Sequence, residues 1–494
     1  MSDAPSTRRN LVFACLMVAM FMVAIEATVV ATAMPQIVAR LGGFSYYAWV
    51  FSGFLLAQSA TTVLFGKLAD LYGRKPVLIA GLAVFLAGLA LAGFAWSMTS
   101  LIAFRILQGL GAGAIQPVTM TLISDLFTLD ERRRTQSYMA SVWGISAIVG
   151  PLAGAFIVQR LSWAWVFWIN VPLGVVAIAG LSLFLHERIE HHDRPVDYLG
   201  AGLFSVTVTA LLLAIGAPAG GSILSHPWLY AAVFALVGPA FVVWERYTRE
   251  PMVDFKLWTE PVIAAANGAT LGAGLAMIGL TACLPVYIQA VLGRSPVVSG
   301  LTLTAMAVGW PIAATVSGRL FLPWIGMRWT LRAGAATTLV GALAFPFLDR
   351  GDGLWLSSAG AFLMGAGMGM MSYTAVLLLQ ASVDWSRRGA ATASNVFARL
   401  LGNTLGAAVM GAILNFGLRR AGAVLTSEQV RALMDHRRGQ VDAALKGALE
   451  GALHWVFLAM AGLAVLTLMA AWAMPQPQVD EPFRRTAAKP RPAA

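Results

Sequence analysis

The sequence predicts an all-α, polytopic membrane protein, and three observations carry that prediction. Charged residues make up 12% of the chain and hydrophobic residues 58%, where a soluble domain carries about 25% charged residues. Apolar runs of about 20 residues, the length a helix needs to cross ~30 Å of hydrocarbon, recur from one end of the sequence to the other. The runs are unbroken, which excludes a barrel of ~10-residue alternating strands. Without water to satisfy the backbone, each run must be a helix.

Taken in order, the runs place fourteen spans near 11–33, 44–65, 77–97, 100–124, 136–159, 164–185, 198–217, 228–245, 262–284, 296–318, 329–348, 353–381, 390–416 and 451–473. The first follows Arg8 and Arg9 and ends in Ala31-Thr32-Ala33, a pattern that mimics a cleavable signal peptide. Its removal would spoil the even count, so the first helix is expected to be retained. Cys15 and Cys283 both fall within spans, which implies neither a disulfide framework nor a metal site, and no cofactor is expected.

Lys and Arg set the orientation. With the N-terminus cytoplasmic, 22 of the 34 basic residues face inside and 10 face outside, six of them between Gly417 and Glu450. The remaining two, Arg105 and Arg399, lie deep in spans. Both termini are then cytoplasmic, in a cell inner membrane. The net charge of +11 reads as topology, and no basic domain is left to bind nucleic acid.

The ten residues from Gly66 to Lys75 form a short charged clasp between two spans, which must therefore lie antiparallel. Gly66-Lys67-Leu68 and Gly73-Arg74-Lys75 reappear, degraded, as Gly318-Arg319-Leu320 and Gly326-Met327-Arg328 after a later span. A duplicated six-helix bundle accounts for twelve spans. The expected organisation is an N-terminal segment 1–10, a first bundle 11–185, a linker 186–261 with two extra spans, a second bundle 262–473 and a tail 474–494. Repeated bundles with a site at their interface are the architecture of rocking transporters.

Glu26 is the only carboxylate deep inside an expected span. A charge there costs about 3 kcal/mol on insertion scales, and such residues are usually functional. Burial favours the neutral acid and a nearby cation favours the ionised one, so a site that alternates between wet and dry can load and release a proton. Arg105 must face a cavity, a carboxylate or backbone carbonyls: a cavity residue and a clamp between helices are both open readings. Gln108, Gln116, Asn267, Gln289, Asn395 and Asn403 are polar groups that could line a cavity. Gly144, Gly150, Pro151 and Gly154 thin and soften one helix, for close packing or for bending. Among enzyme signatures, His or Cys clusters, paired carboxylates and nucleotide loops are all missing; Gly109-Leu110-Gly111-Ala112-Gly113 reads as helix packing. The energy source is therefore a gradient.

These segments carry a resemblance to a known family. Gly66-x-Leu68-x-Asp70-x-x-Gly73-Arg74-Lys75 resembles the loop between helices two and three of the major facilitator superfamily. Arg105-Ile106-Leu107-Gln108-Gly109 resembles its helix-four motif, and Gly150-Pro151-Leu152-Ala153-Gly154 the helix-five motif typical of antiporters. Trp163 to Gly174, with Glu26-Ala27-Thr28-Val29-Val30 leading to Met34-Pro35, resembles the fourteen-helix drug:proton antiporter branch. Ala164 stands where that branch usually has Arg, and Glu26 where it often has Asp.

The resemblance implies proton coupling at Glu26 with Arg105, and a cavity lined by Glu26, Arg105, Gln108, Gln116, Asn395 and Arg399. It implies gating by Gly66, Asp70, Gly73, Arg74 and Lys75, with Asp70 meeting the start of the eleventh core helix after Ser386-Arg387-Arg388. It also implies a hinge at Gly150, Pro151 and Gly154. The expected activity is proton-coupled export of lipophilic, cationic compounds by alternating access, with small lipophilic substrates, protons and the bilayer as partners. An exporter of an endogenous lipid or metabolite and a non-transporting sensor are the rival readings. The outer loop 417–450, where Thr426-Ser427-Glu428-Gln429 resembles a capping box and Val430, Leu433, Val441 and Leu445 take amphipathic spacing, is a surface helix or a dock for an accessory protein.

Overall fold

A computed structural model of the protein describes residues 8–127, 129–187, 197–216, 226–248, 255–348, 353–383, 388–422, 429 and 443–476. Every regular element among them is helical. The helices are α1 (Arg9–Leu41), α2 (Tyr47–Tyr72), α3 (Arg74–Gly93), α4 (Met98–Leu126), α5 (Leu129–Arg160), α6 (Trp165–Trp168), α7 (Asn170–Phe184), α8 (Tyr198–Gly216), α9 (Pro227–Tyr247), α10 (Pro261–Val286), α11 (Pro296–Val316), α12 (Leu322–Leu343), α13 (Gly353–Ala381), α14 (Arg388–Arg420) and α15 (Ala443–Trp472).

Among the described residues, twelve helices are long and apolar enough to cross a membrane, not the fourteen expected. Two places account for the difference. The expected spans 296–318 and 329–348 run together as one helical stretch, Pro296–Phe347, because a π-helical turn at Ser317–Phe321 carries α11 directly into α12. The break falls inside α12 at Gly326 (φ 78°, ψ 172°). The expected span 198–217 is helical, but its apolar part, Leu199–Ile215, is short.

The packing repeats. In the first half α1 packs on α5 and α7, α4 on α2 and α3, and α3 on α7; in the second, α10 packs on α14 and α15, α13 on α11 and α12, and α12 on α15. Glycines set the spacing where backbones touch. A Cβ on Gly111 would strike the backbone of Phe85 and Gly81, and one on Gly402 would strike that of Leu271. Gly73 (φ 93°) and Gly326 (φ 78°) take corresponding positions in the two halves, both left-handed, where a side chain would be strained.

The clasp is a capped junction. Glu187 accepts the backbone N–H groups of Arg74 and Lys75 at 2.9 and 2.8 Å, placing a carboxylate on the positive end of α3. Lys75 Nζ donates to Ser182 O and Leu185 O, closing the end of α7, and Arg74 pairs with Asp125 at 3.4 Å. The second half uses Arg332 in the same way. It donates to the carbonyls of Ala471, Trp472 and Met474 at the end of α15, between the rings of Trp329 and Trp472.

The halves meet most closely at the end that carries the turn between α1 and α2. There Gln289 Nε2 donates to Thr32 O at 3.2 Å, Asn415 Nδ2 to Ser45 O at 3.0 Å, and Tyr47 Oη to Ala282 O. Gly300 of α11 lies against the carbonyl of Pro151. At the opposite end a Cβ on Gly66 would meet nothing within 4 Å, and one on Gly144 only Pro311 at 4.0 Å. The cross-half hydrogen bonds of Gln289, Asn415 and Tyr47 thus lie at the end away from the clasp. The pair α8 and α9 packs outside this frame. Phe204, Val208 and Leu212 of α8 lie over Ala60 of α2 and Ala408 of α14, so α8 covers one seam between the halves.

Candidate functional site

Four polar side chains from three helices converge inside the first half. Glu26 of α1 is 0% exposed and Arg105 of α4 is 2% exposed. Arg105 Nη1 donates to Glu26 Oε1 and to Gln108 Oε1, both at 2.7 Å. Asn170, the first residue of α7, donates Nδ2 to Glu26 Oε2 at 3.2 Å. The guanidinium stacks over Phe54 of α2, 4.2 Å from the ring centroid, and its Nε points at Val50 O at 3.4 Å.

Local structure builds this arrangement. Arg105 and Gln108 are three residues apart on α4 and share a face. Ser97 starts α4 with a reciprocal capping box to Ser100, which fixes the helix seven residues before Arg105, about 10 Å along its axis. Trp168 Nε1 donates to Ala90 O at 3.1 Å, pinning α6 on α3, so that the break at Ile169 turns Asn170 inward.

A buried ion pair of this kind is weak support for stability, because desolvating both charges offsets most of their attraction. It makes a strong chemical unit. A carboxylate held by one guanidinium and one amide has its two oxygens in different surroundings, and a proton added there leaves the cation without its partner.

The remaining expected residues lie elsewhere. Gln116, two turns further along α4, is half-buried and outside the cluster. Asn395 is buried between α14 and α10, its amide donating to Asn267 Oδ1 at 3.1 Å and Thr270 Oγ1 at 2.9 Å, while Asn267 donates to Ser394 Oγ at 3.0 Å. This uncharged network staples the second half. Arg399, one turn on, is half-buried and joins neither cluster. Gly150 and Gly154 bring α5 against α1: a Cβ on Gly154 would come within 2.7 Å of Val29 O, and one on Gly150 would overlap Thr28. Gly154→Val is expected to destabilise the protein by about 1–3 kcal/mol, read as a lower thermal midpoint in detergent.

Gly66, Gly73, Arg74 and Lys75 form the clasp described above. The side chain of Asp70 lies outside the described residues, as do those of residues 384–390 around the start of α14, the eleventh core helix, and most of the loop 417–450. Ala164 is buried at 5% exposure. The sequence singles out neither Asn170 nor Phe54 as a site residue. A polar residue opening an apolar run is the available signal for Asn170, and Phe54 gives none. Asp197 and Glu245, buried at the base of α8 and α9, add to Glu26 as buried acids.

The sequence pattern described as the Major Facilitator Superfamily matches residues 16–407. The chain belongs to this superfamily. Its relatives within it include the multidrug transporter protein MdtP of Bacillus subtilis (strain 168), 32% identical over 454 residues, which covers 91% of this chain and 83% of the relative. Multidrug resistance protein 3 of the same organism is 34% identical over 409 residues, 81% of this chain and 78% of the relative. Solved structures of transporters share the fold at low identity. A bacterial homologue of the human lysosomal transporter Spinster, inward-facing and unoccupied, superposes with a TM-score of 0.65 at 15% identity, over 94% of this chain and 97% of that one. A POT family peptide transporter superposes at 0.66 and 13% identity, over 98% and 99%. This superfamily member is therefore a membrane transporter, and its family and relatives are transporters, not enzymes.

Proposed function

We propose that the protein is a proton-coupled antiporter that exports lipophilic, cationic compounds by alternating access, with fourteen spans and both termini on the cytoplasmic side of the inner membrane. The observation that carries this reading is the buried pair of Glu26 and Arg105, 2.7 Å apart. Multidrug transporters at 32% and 34% identity support the substrate class. A proton arriving from outside neutralises Glu26, and a cationic substrate arriving from inside competes for the same carboxylate. With the N-terminus inside, the closed end is the outer one, and the cleft opens to the cytoplasm. Asp70 in the clasp is assigned the opposite task, holding the cytoplasmic side shut after reorientation, and Gly150, Pro151 and Gly154 the bending of α5. Gln116, Asn395 and Arg399 are assigned to the cavity wall in the state where the cleft has rearranged.

The test is uptake of a fluorescent lipophilic cation into inverted vesicles under an imposed pH gradient. Uptake that follows the gradient supports the reading. No uptake by well-inserted protein, with a lipid co-purifying, moves the assignment to an endogenous lipid or metabolite.

The outer closure gives a second expectation. Tyr47→Phe removes one cross-half hydrogen bond, worth about 1 kcal/mol, and so raises the outward-open population about fivefold. Spin labels at the exposed residues Ser45 and Phe416 will report a larger long-distance fraction. An unchanged distribution refutes a latch at Tyr47.

A further inference from the structure

The break between α6 and α7 leaves one buried amide oxygen with nothing to bind. Asn170 is 1% exposed. Its Nδ2 holds Glu26 Oε2 at 3.2 Å, while Arg105 holds the other oxygen, Oε1, at 2.7 Å. Among the described residues its Oδ1 has no hydrogen-bond partner. A buried polar atom without a partner is costly, and this one sits on the same amide that touches the acid. A carboxamide presents a donor and an acceptor at the two ends of one plane, and a half-turn about its last torsion exchanges them.

We propose that Asn170 is a positioning residue for the transported proton: it donates to ionised Glu26 through Nδ2, then turns to accept the O–H of protonated Glu26 through Oδ1. The inference rests on the proton-coupled reading above. One proton adds to Oε2, one O–H bond forms, and the cluster passes from neutral to a charge of +1. Arg105 keeps Gln108 Oε1, Val50 O and the face of Phe54, so the new positive charge stays in place and repels a cationic substrate.

Oε2 is the protonation site because the cation occupies Oε1. Among the described residues Arg105 is the one charged group acting on Glu26. Around Glu26 the elements packed against α1 otherwise present the uncharged Asn170 from α7, Gln108 from α4 and Ser146 from α5; the ion pair of Arg9 with Glu131 of α5 lies at the start of α1, 17 residues before Glu26. Gln108 commits its oxygen to the guanidinium, and the unpartnered Nε2 it leaves over can only donate, so Asn170 is the amide here with an acceptor to spare for the acid proton.

Infrared difference spectroscopy between high and low pH, on the full-length protein in lipid nanodiscs, tests the inference, with Glu26→Gln identifying the carboxylic acid carbonyl band. Asn170→Leu should move that band to higher frequency, since the acid loses its acceptor, and should cut gradient-driven export about tenfold. Gln108→Leu should leave the band where it is. In the natural protein, the isotope-edited carboxamide carbonyl band of Asn should fall in frequency as the Glu26 acid band grows, a readout that needs no variant to fold. A Glu26 band unmoved in Asn170→Leu, or an Asn band that ignores pH, overturns the proposal. If no Glu26 band titrates at all, proton coupling at Glu26 fails, and this inference fails with it.

Discussion

Replacing Glu26 with Gln is expected to abolish gradient-driven export while leaving the protein inserted and folded. The substitution keeps the shape and supplies an amide oxygen that Arg105 Nη1 can still reach, so the guanidinium retains a partner at the place where it now sits 2.7 Å from Glu26 Oε1. What is lost is the ability to bind and release a proton. The same change removes the negative charge that attracts a cationic substrate, so uptake into inverted vesicles should fall to the level of empty membranes at every gradient. Facilitated, gradient-independent movement of neutral substrates should survive. Full gradient-dependent efflux by the variant would refute the assignment.

The second large effect is at Arg105. Arg105→Met leaves a carboxylate buried without its cation, a situation that costs about 3–5 kcal/mol when the charge persists. The single variant should therefore lose both export and thermal stability. Combined with Glu26→Gln, the same change leaves no charge in the cluster, and stability should recover most of the way while export stays absent. A double-mutant cycle on the unfolding free energy measures the coupling. Equal stability of single and double variants would mean that the pair is not the unit described above.

Composition and run length made the helical class legible, because membrane insertion is decided locally, residue by residue, against the bilayer. The count was less legible. A π-helical turn at Ser317–Phe321 fuses two runs without any residue that would announce it, whereas Gly326 does announce the break that follows. The repeated glycine pattern anticipated that Gly73 and Gly326 would be equivalent, and both have positive φ. The partners of the clasp were not legible. Glu187 lies 113 residues from Arg74, and nothing in its neighbourhood says that its carboxylate caps α3. The core of the site was half visible. Glu26 and Arg105 stand out because charge is costly in hydrocarbon, and their contact follows from having no other means of neutralisation. Asn170 did not stand out, since a lone Asn at the start of an apolar run has many ordinary uses. Asn395 was legible as a polar side chain in a span, but its partners were not: its amide donates to Asn267 and Thr270 of α10, more than 120 residues away in the chain.

The seam covered by α8 bears on how the two halves move. Phe204 of α8 touches Phe241 of α9 and Phe397 of α14, with centroids 5.7 and 5.3 Å apart, in an apolar cluster that takes in Ala60, Leu56, Leu401, Leu405 and Ala408 at the seam. Contacts of this kind have no preferred direction and no hydrogen bond to break. A surface of methyls and rings can shift by a few ångströms and trade one neighbour for another at small net cost. On the alternating-access reading proposed above, α8 and α9 work as a greased bearing: they keep lipid tails out of the joint while leaving the rocking axis free, which a polar strap in the same position would have locked.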